Sequence, residues 1–139
     1  MWPTRIHNPV FLRNLYGDPP DLGAVELNHV DLSREGPELR LSIISRVLPA
    51  NPPAKWGAFN RVLFSLRCFD LQSVEITSFG RAGLSFIRMW DDGPGIRLSV
   101  EGVCRIEAEF RWLYVDSIDG GLLEERSDIR LVRQTPSGS

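Results

Sequence analysis

From Cys104 to Trp112 apolar and charged residues alternate without a break. Cys104, Ile106, Ala108, Phe110 and Trp112 fall on one side, and Arg105, Glu107, Glu109 and Arg111 on the other. Successive side chains of a strand point to opposite faces, so this pattern predicts a strand with one dry face and one wet face. Charges of both signs on the wet face suit an exposed antiparallel sheet. The same period of two recurs at Leu39, Leu41 and Ile43, at Val62, Phe64, Leu66 and Cys68, at Val74 and Ile76, and at Ile96, Leu98 and Val100. Residues around 24–33 and 38–47 read as a hairpin about Glu35-Gly36-Pro37. A change of parity between His29 and Val30 marks a β-bulge or a change in which face is buried.

Other segments punctuate this pattern. Asp91-Asp92-Gly93-Pro94-Gly95 reads as a loop and Asp119-Gly120-Gly121 as a break. Glu101-Gly102-Val103 predicts a turn that keeps the even-numbered residues of both arms on one face; the alternative is one long strand bent at Gly102. Leu84, Phe86, Arg88 and Trp90 share one parity, Ile87 and Met89 the other. Such a strand is either covered on both sides or lines an interface. The tail from Leu122 fits a final edge strand or a helical turn, and residues 134–139 read as frayed.

Two segments have a different period. Phe11, Leu12, Leu15 and Tyr16 form a helical stripe, with Asn8 as N-cap, Pro9 at the first helical position and Gly17 placed to end it. Ala54 to Phe59 reads as a short helical turn or an irregular loop held by two aromatic anchors. The expected architecture is one domain over residues 1–139, mainly β and α+β at the margin. It is a curved antiparallel sheet, or an open barrel or sandwich, of about seven strands with a short N-terminal helix.

Composition narrows the function classes. The formal charge is −2, with no basic stripe, so nucleic acid is not an expected partner. No apolar run approaches the ~20 residues of a membrane helix. The N-terminus lacks the apolar core of a secretory signal, so the expected compartment is the cytoplasm. Cys68 and Cys104 sit at apolar-face positions and are expected as buried, reduced thiols.

Candidate chemistry is sparse. His7 and His29 stand alone in separate elements and read as partly buried hydrogen-bonding residues, not metal ligands. Gly83-Leu84-Ser85 lacks the second glycine of a nucleophile elbow, and no phosphate-binding glycine loop follows a strand. Glu107 and Glu109 share a strand face, but Arg105 and Arg111 beside them favour a solvated, charge-paired surface over a carboxylate dyad. No catalytic, metal or cofactor residues are expected, and no enzyme activity. Trp90 abuts Asp91 and Asp92, while Trp112 and Tyr114 precede Asp116 and Asp119. Aromatic side chains beside carboxylates are common at protein interfaces, and acidic loops suit a basic partner. Trp90, Asp91, Asp92, Asp116 and Asp119 are therefore the candidate protein-binding residues.

The order of these features resembles the bacterial polymorphic-toxin immunity proteins of immunity protein family 50. The residues that carry the likeness are Asn8-Pro9 with Leu12, Leu15, Tyr16 and Gly17, then Pro19-Pro20. The strands around Val25, Leu27, Val30, Leu32, Gly36, Pro37 and Leu39 follow, then Pro49 through Trp56, and the alternation from Ile96 to Trp112. The resemblance implies a non-catalytic cytoplasmic antidote that binds and neutralises a cognate toxin domain. Residue chemistry alone leaves two further readings open. One is a small-ligand-binding β-barrel, or an enzyme on that scaffold; the other is a structural or adaptor domain docking through residues 84–90.

Overall fold

A computed structural model describes residues 2–7, 9–17, 20–80, 83–124 and 130–133. The chain order is β1 (Ile6–His7), α1 (Pro9–Tyr16), β2 (Ala24–Ser33), β3 (Glu38–Ser45), a 3-10 turn (Ala54–Trp56), β4 (Arg61–Phe69), β5 (Ser73–Thr77), β6 (Leu84–Asp92), β7 (Gly95–Gly102), β8 (Arg105–Phe110), β9 (Trp112–Glu124) and β10 (Arg130–Arg133). The strands form one open sheet in the order β1-β9-β4-β3-β2-β6-β7-β8-β5, with β10 also beside β9. The β1–β9 pair is parallel, and the other ladders are antiparallel.

Alternation builds one dry face across the whole sheet. Leu39, Leu41, Ile43, Val62, Phe64, Leu66, Cys68, Ile87, Met89, Ile96, Leu98, Val100, Ile106, Ala108 and Phe110 are all buried in a single core. The even-numbered residues of β7 and β8 face the same way, with Ile96 opposite Phe110, Leu98 opposite Ala108 and Val100 opposite Ile106, but the turn falls at 103–104 and not at the expected 101–103, because Glu101 and Gly102 belong to β7 and pair with β6. Leu12 and Leu15 of α1 and the Trp56 indole join this core. A fully buried Leu, Phe or Met side chain typically contributes about 1.5–3 kcal/mol, so a core this continuous explains a fold without staples. Cys68 and Cys104 are buried, unbridged thiols within it.

The sheet curls back on itself. β9, β4, β3 and β2 lie between β1 and β6 in the sheet order. Even so, the Thr4 amide just before β1 donates to both carboxylate oxygens of Asp91 near the end of β6, at 3.1 and 3.2 Å. Curling lets the inner faces of distant strands share one core.

Several expectations need correction. The described residues form ten strands where about seven were expected, because β1, β9 and β10 are strands of their own. The expected strand over 104–112 stops at Phe110, where the Arg111 amide bonds to the Phe69 carbonyl. β9 then buries the odd-numbered Leu113 and Val115, so Trp112 is 44% exposed and does not join the dry face. β9 also runs straight through Asp119-Gly120-Gly121, where a break was expected. The loop expected at 91–95 shrinks to Gly93-Pro94, because Asp91 and Asp92 pair with Ile96 and Gly95. Gly93 takes φ +61°, which glycine adopts without a steric penalty. His7 and His29 are exposed instead of partly buried.

Other expectations match. A bulge does interrupt β2, but between Leu27 and His29, just before the parity change expected at His29 and Val30. The helix spans Pro9–Tyr16, and its proposed cap Asn8 lies outside the described residues. The aromatic anchors at 54–59 are Trp56 and Phe59, packed edge to face at 5.2 Å. The tail forms an edge strand at 130–133, while residues 134–139 lie outside the described residues.

Candidate protein-binding surface

β6 has one face in the core and one in water. Ser85, Ile87 and Met89 are buried, whereas Phe86 is 61% exposed, Leu84 49% and Trp90 38%. This settles the two-sided apolar pattern at 84–90: one side is core and the other is open. Long-range pairing decides which side is covered, since Ile87 and Met89 stand opposite Val100 and Leu98. Exposed Phe79 and Val103 flank the start of this stripe in sequence or across the hairpin.

Residues directly opposite in antiparallel strands share a face. Phe86 therefore lies beside Ala24 and Glu101, Arg88 beside Ser99, and Trp90 beside Arg97. The next ladder places Glu109 beside Arg97 and Glu107 beside Ser99, and the last sets Glu75 opposite Glu107. The outer face of β6, β7, β8 and β5 thus combines an apolar stripe with a charged field. Asp92, Glu75, Glu101, Glu107 and Glu109 outnumber Arg88, Arg97 and Arg105 on it.

Only part of that charge is matched. Arg97 bridges Asp92 at 3.2 Å and Glu109 at 3.4 Å. Glu107 accepts a hydrogen bond from Ser99 at 2.8 Å. The Arg88 guanidinium stands 5.6 Å from the Trp90 ring centre, a cation–π distance. Among the described residues, neither Glu75 nor Glu101 has an ion-pair partner. Like charges directly opposite each other weaken a ladder, and Glu75–Glu107 is such a pair. The carboxylates of β8 are therefore a surface field, as expected, but their partners come from β7 and not from Arg105 or Arg111.

The five sequence candidates do not form one patch. Trp90 and Asp92 share the outer face of β6, with Asp92 tied to Arg97. Asp91 faces the other way and holds the Thr4 amide. Asp116 and Asp119 lie on β9, separated from β6 by β4, β3 and β2. Asp116 sits 4.0 Å from Arg67, and Asp119 is half-buried.

A second polar array, not legible from sequence, lies near Asp116. The nearly buried Glu38 carboxylate receives Arg67 at 3.0 Å and Arg40 at 2.6 Å. Hydrogen bonds from Arg67 and then Arg40 hold the Glu38 carboxyl below the usual carboxylate range. The Arg67 guanidinium also lies 4.7 Å from the Phe69 ring centre and 5.9 Å from that of Tyr114. Trp112 packs on His7 at 4.9 Å beside it. Glu38 and Arg67 are far apart in sequence and meet only through the β3–β4 ladder, so no local motif announces them.

Among the described residues no group of three or more His, Cys, Asp or Glu is arranged to hold a metal ion. Their helices include none long and apolar enough to cross a membrane. The largest fully buried side chains among the described residues are Trp56, Phe64 and Phe110.

Fold and surface together define a mainly β protein built on one curled, open sheet, with an apolar core on its inner face and exposed aromatic and acidic groups on its outer face. The family model for immunity protein 50 matches residues 8–121, and the chain belongs to that family of immunity proteins. No curated protein and no solved structure gives a match.

Proposed function

We propose that this immunity protein is a non-catalytic cytoplasmic antidote that binds and neutralises a cognate toxin domain of a bacterial polymorphic toxin system. The observation that carries the reading is the family match over residues 8–121. The surface is in keeping with it: exposed Phe86 and Trp90 stand among carboxylates on a rigid sheet, where a docked protein would bury the rings. The candidates Trp90, Asp91, Asp92, Asp116 and Asp119 enter this reading as two separate sets, one at the β6–β7 hairpin and one on β9. Neutralisation on this view is steric and electrostatic occlusion, with no bond made or broken by the antidote.

The test is co-expression with candidate toxin domains encoded by neighbouring genes. Survival of cells carrying both, and death of cells carrying the toxin alone, is the expected result. Cell death in both cases, with the antidote folded and abundant, defeats the proposal.

A further inference from the structure

We infer that the outer face of β6, β7, β8 and β5 is the toxin-binding surface, and that it takes a basic protein surface with an apolar centre. This inference rests on the toxin-binding reading above and adds the place and the partner's chemistry. The apolar part is the stripe of Leu84, Phe86 and Trp90, each more than a third exposed on a strand whose opposite side is core. An exposed stripe of large side chains on a regular strand is a surface shaped for burial.

Charge selects the occupant. Glu101 stands beside Phe86, and Glu75 faces Glu107 across β5 and β8 with no ion pair to either carboxylate among the described residues. The pair lines an open cleft of about 320 Å³ together with Arg97. A lysine or arginine of a partner would relieve the Glu75–Glu107 repulsion and gain two carboxylate contacts. A second copy of this chain is the poorer occupant, because it would bring the same excess of carboxylate against this one. A basic partner is steered in by the field and then held by the rings.

The experiment measures binding of a purified, inactivated toxin domain that this protein neutralises in cells. It uses wild type, Phe86→Glu, Trp90→Ala, and the double variant Glu75→Gln/Glu107→Gln. Because Phe86 is largely exposed, its variant should keep the wild-type melting temperature, which a thermal scan checks. Phe86→Glu is expected to weaken binding at least roughly thirty-fold, as a hot-spot anchor does. The glutamine pair is expected to slow association and to flatten its dependence on salt. Hydrogen exchange on the wild-type complex should show protection over residues 84–92 and 95–110. Wild-type binding that none of these variants changes overturns the surface while leaving the antidote reading intact. Absence of wild-type binding overturns both. A wild-type dimer that Phe86→Glu splits shows that a second copy covers the face, and overturns the basic-partner assignment.

Discussion

Trp56 and Gly120 share one space. A Cβ on residue 120 would stand 2.6 Å from Cε3 and 2.7 Å from Cδ2 of the Trp56 indole, closer than side chains tolerate. Trp56 is almost wholly buried, so the ring has little room to retreat. The glycine lets the 3-10 turn at 54–56 press its ring onto β9. Gly120→Ala is expected to cost about 1–3 kcal/mol through overpacking. Trp56→Ala should cost about 3–5 kcal/mol through the cavity it leaves. In the double variant the methyl group has space, so the combined loss should fall short of the sum. Denaturant unfolding of the four proteins measures this; strict additivity rejects the shared-space account.

That contact also shows where sequence reading stops. Two glycines after an aspartate carry turn chemistry, and nothing local reveals an indole from another segment lying over one of them. β9 hid for a second reason. It buries Leu113 and Val115, then Ile118 and Gly120, because a register shift against Ser65/Leu66 in β4 flips its parity midway. A period of two cannot be read through a bulge. In β4 and β8 the period runs unbroken, and their faces were legible residue by residue. The candidate surface was half legible: the double apolar parity of β6 was visible, but only its pairing with β7 and β2 decides that Phe86 and Trp90 are outside. Asp91 and Asp116 are expected as interface acids on loops, whereas both lie on strands, one holding a backbone amide and the other near Arg67.

Ser85 is a polar group misplaced in the core. Its hydroxyl is buried and has no hydrogen-bond partner among the described residues. An unpaired buried hydroxyl costs the desolvation of that group, about 1–3 kcal/mol. Ser85→Ala removes the hydroxyl and keeps the small volume beside Gly102. Stability is expected to rise by about 1 kcal/mol, a shift of a few degrees in melting temperature. A fall in melting temperature would show that the hydroxyl has a partner in solution.

Glu38 gives the fold an acid-sensitive clamp. Its carboxyl is held below the ordinary range by hydrogen bonds from Arg67 and Arg40. A lowered folded-state value means that the unfolded chain binds the proton more readily. The stabilisation is therefore present above the ordinary carboxylate value of about 4.3, and is lost as pH falls through the lower folded value. Glu38→Gln should be less stable than wild type at neutral pH, and the gap should narrow as pH drops below about 4. Equilibrium unfolding of both proteins across that range checks the sign. A gap that stays constant removes the linkage.

Both thiols should be unreactive in the native protein. Cys68 and Cys104 are buried, and loss of solvation raises the pKa of each. The thiolate is the reactive form, so burial suppresses both access and ionisation. A thiol-specific reagent is expected to label neither quickly in native buffer and both in denaturant. Rapid native labelling of Cys104, the less deeply placed of the two, would show that the turn at 103–104 opens more readily than the core.

Asp91 ties the N-terminal segment to the far side of the curled sheet. Its two carboxylate oxygens accept from the Thr4 amide, and two residues later β1 pairs with Leu113 and Tyr114 of β9. The contact is exposed, so its share of global stability is small, within the ~0–1 kcal/mol typical of surface polar pairs. Its leverage is local, because a two-residue strand has few other restraints. Asp91→Ala should therefore leave the melting temperature within a few degrees of wild type while amides of residues 4–7 exchange with solvent much faster. Amides of β3 and β4 should keep their protection. The same variant separates two roles for this residue. If Asp91 acts only as a tether, toxin affinity falls no further than the loosened segment requires. Asp91→Asn, which keeps an acceptor for Thr4 but removes the charge, should then bind like wild type. Loss of affinity in Asp91→Asn with normal exchange at residues 4–7 would return Asp91 to the interface as a charge in its own right.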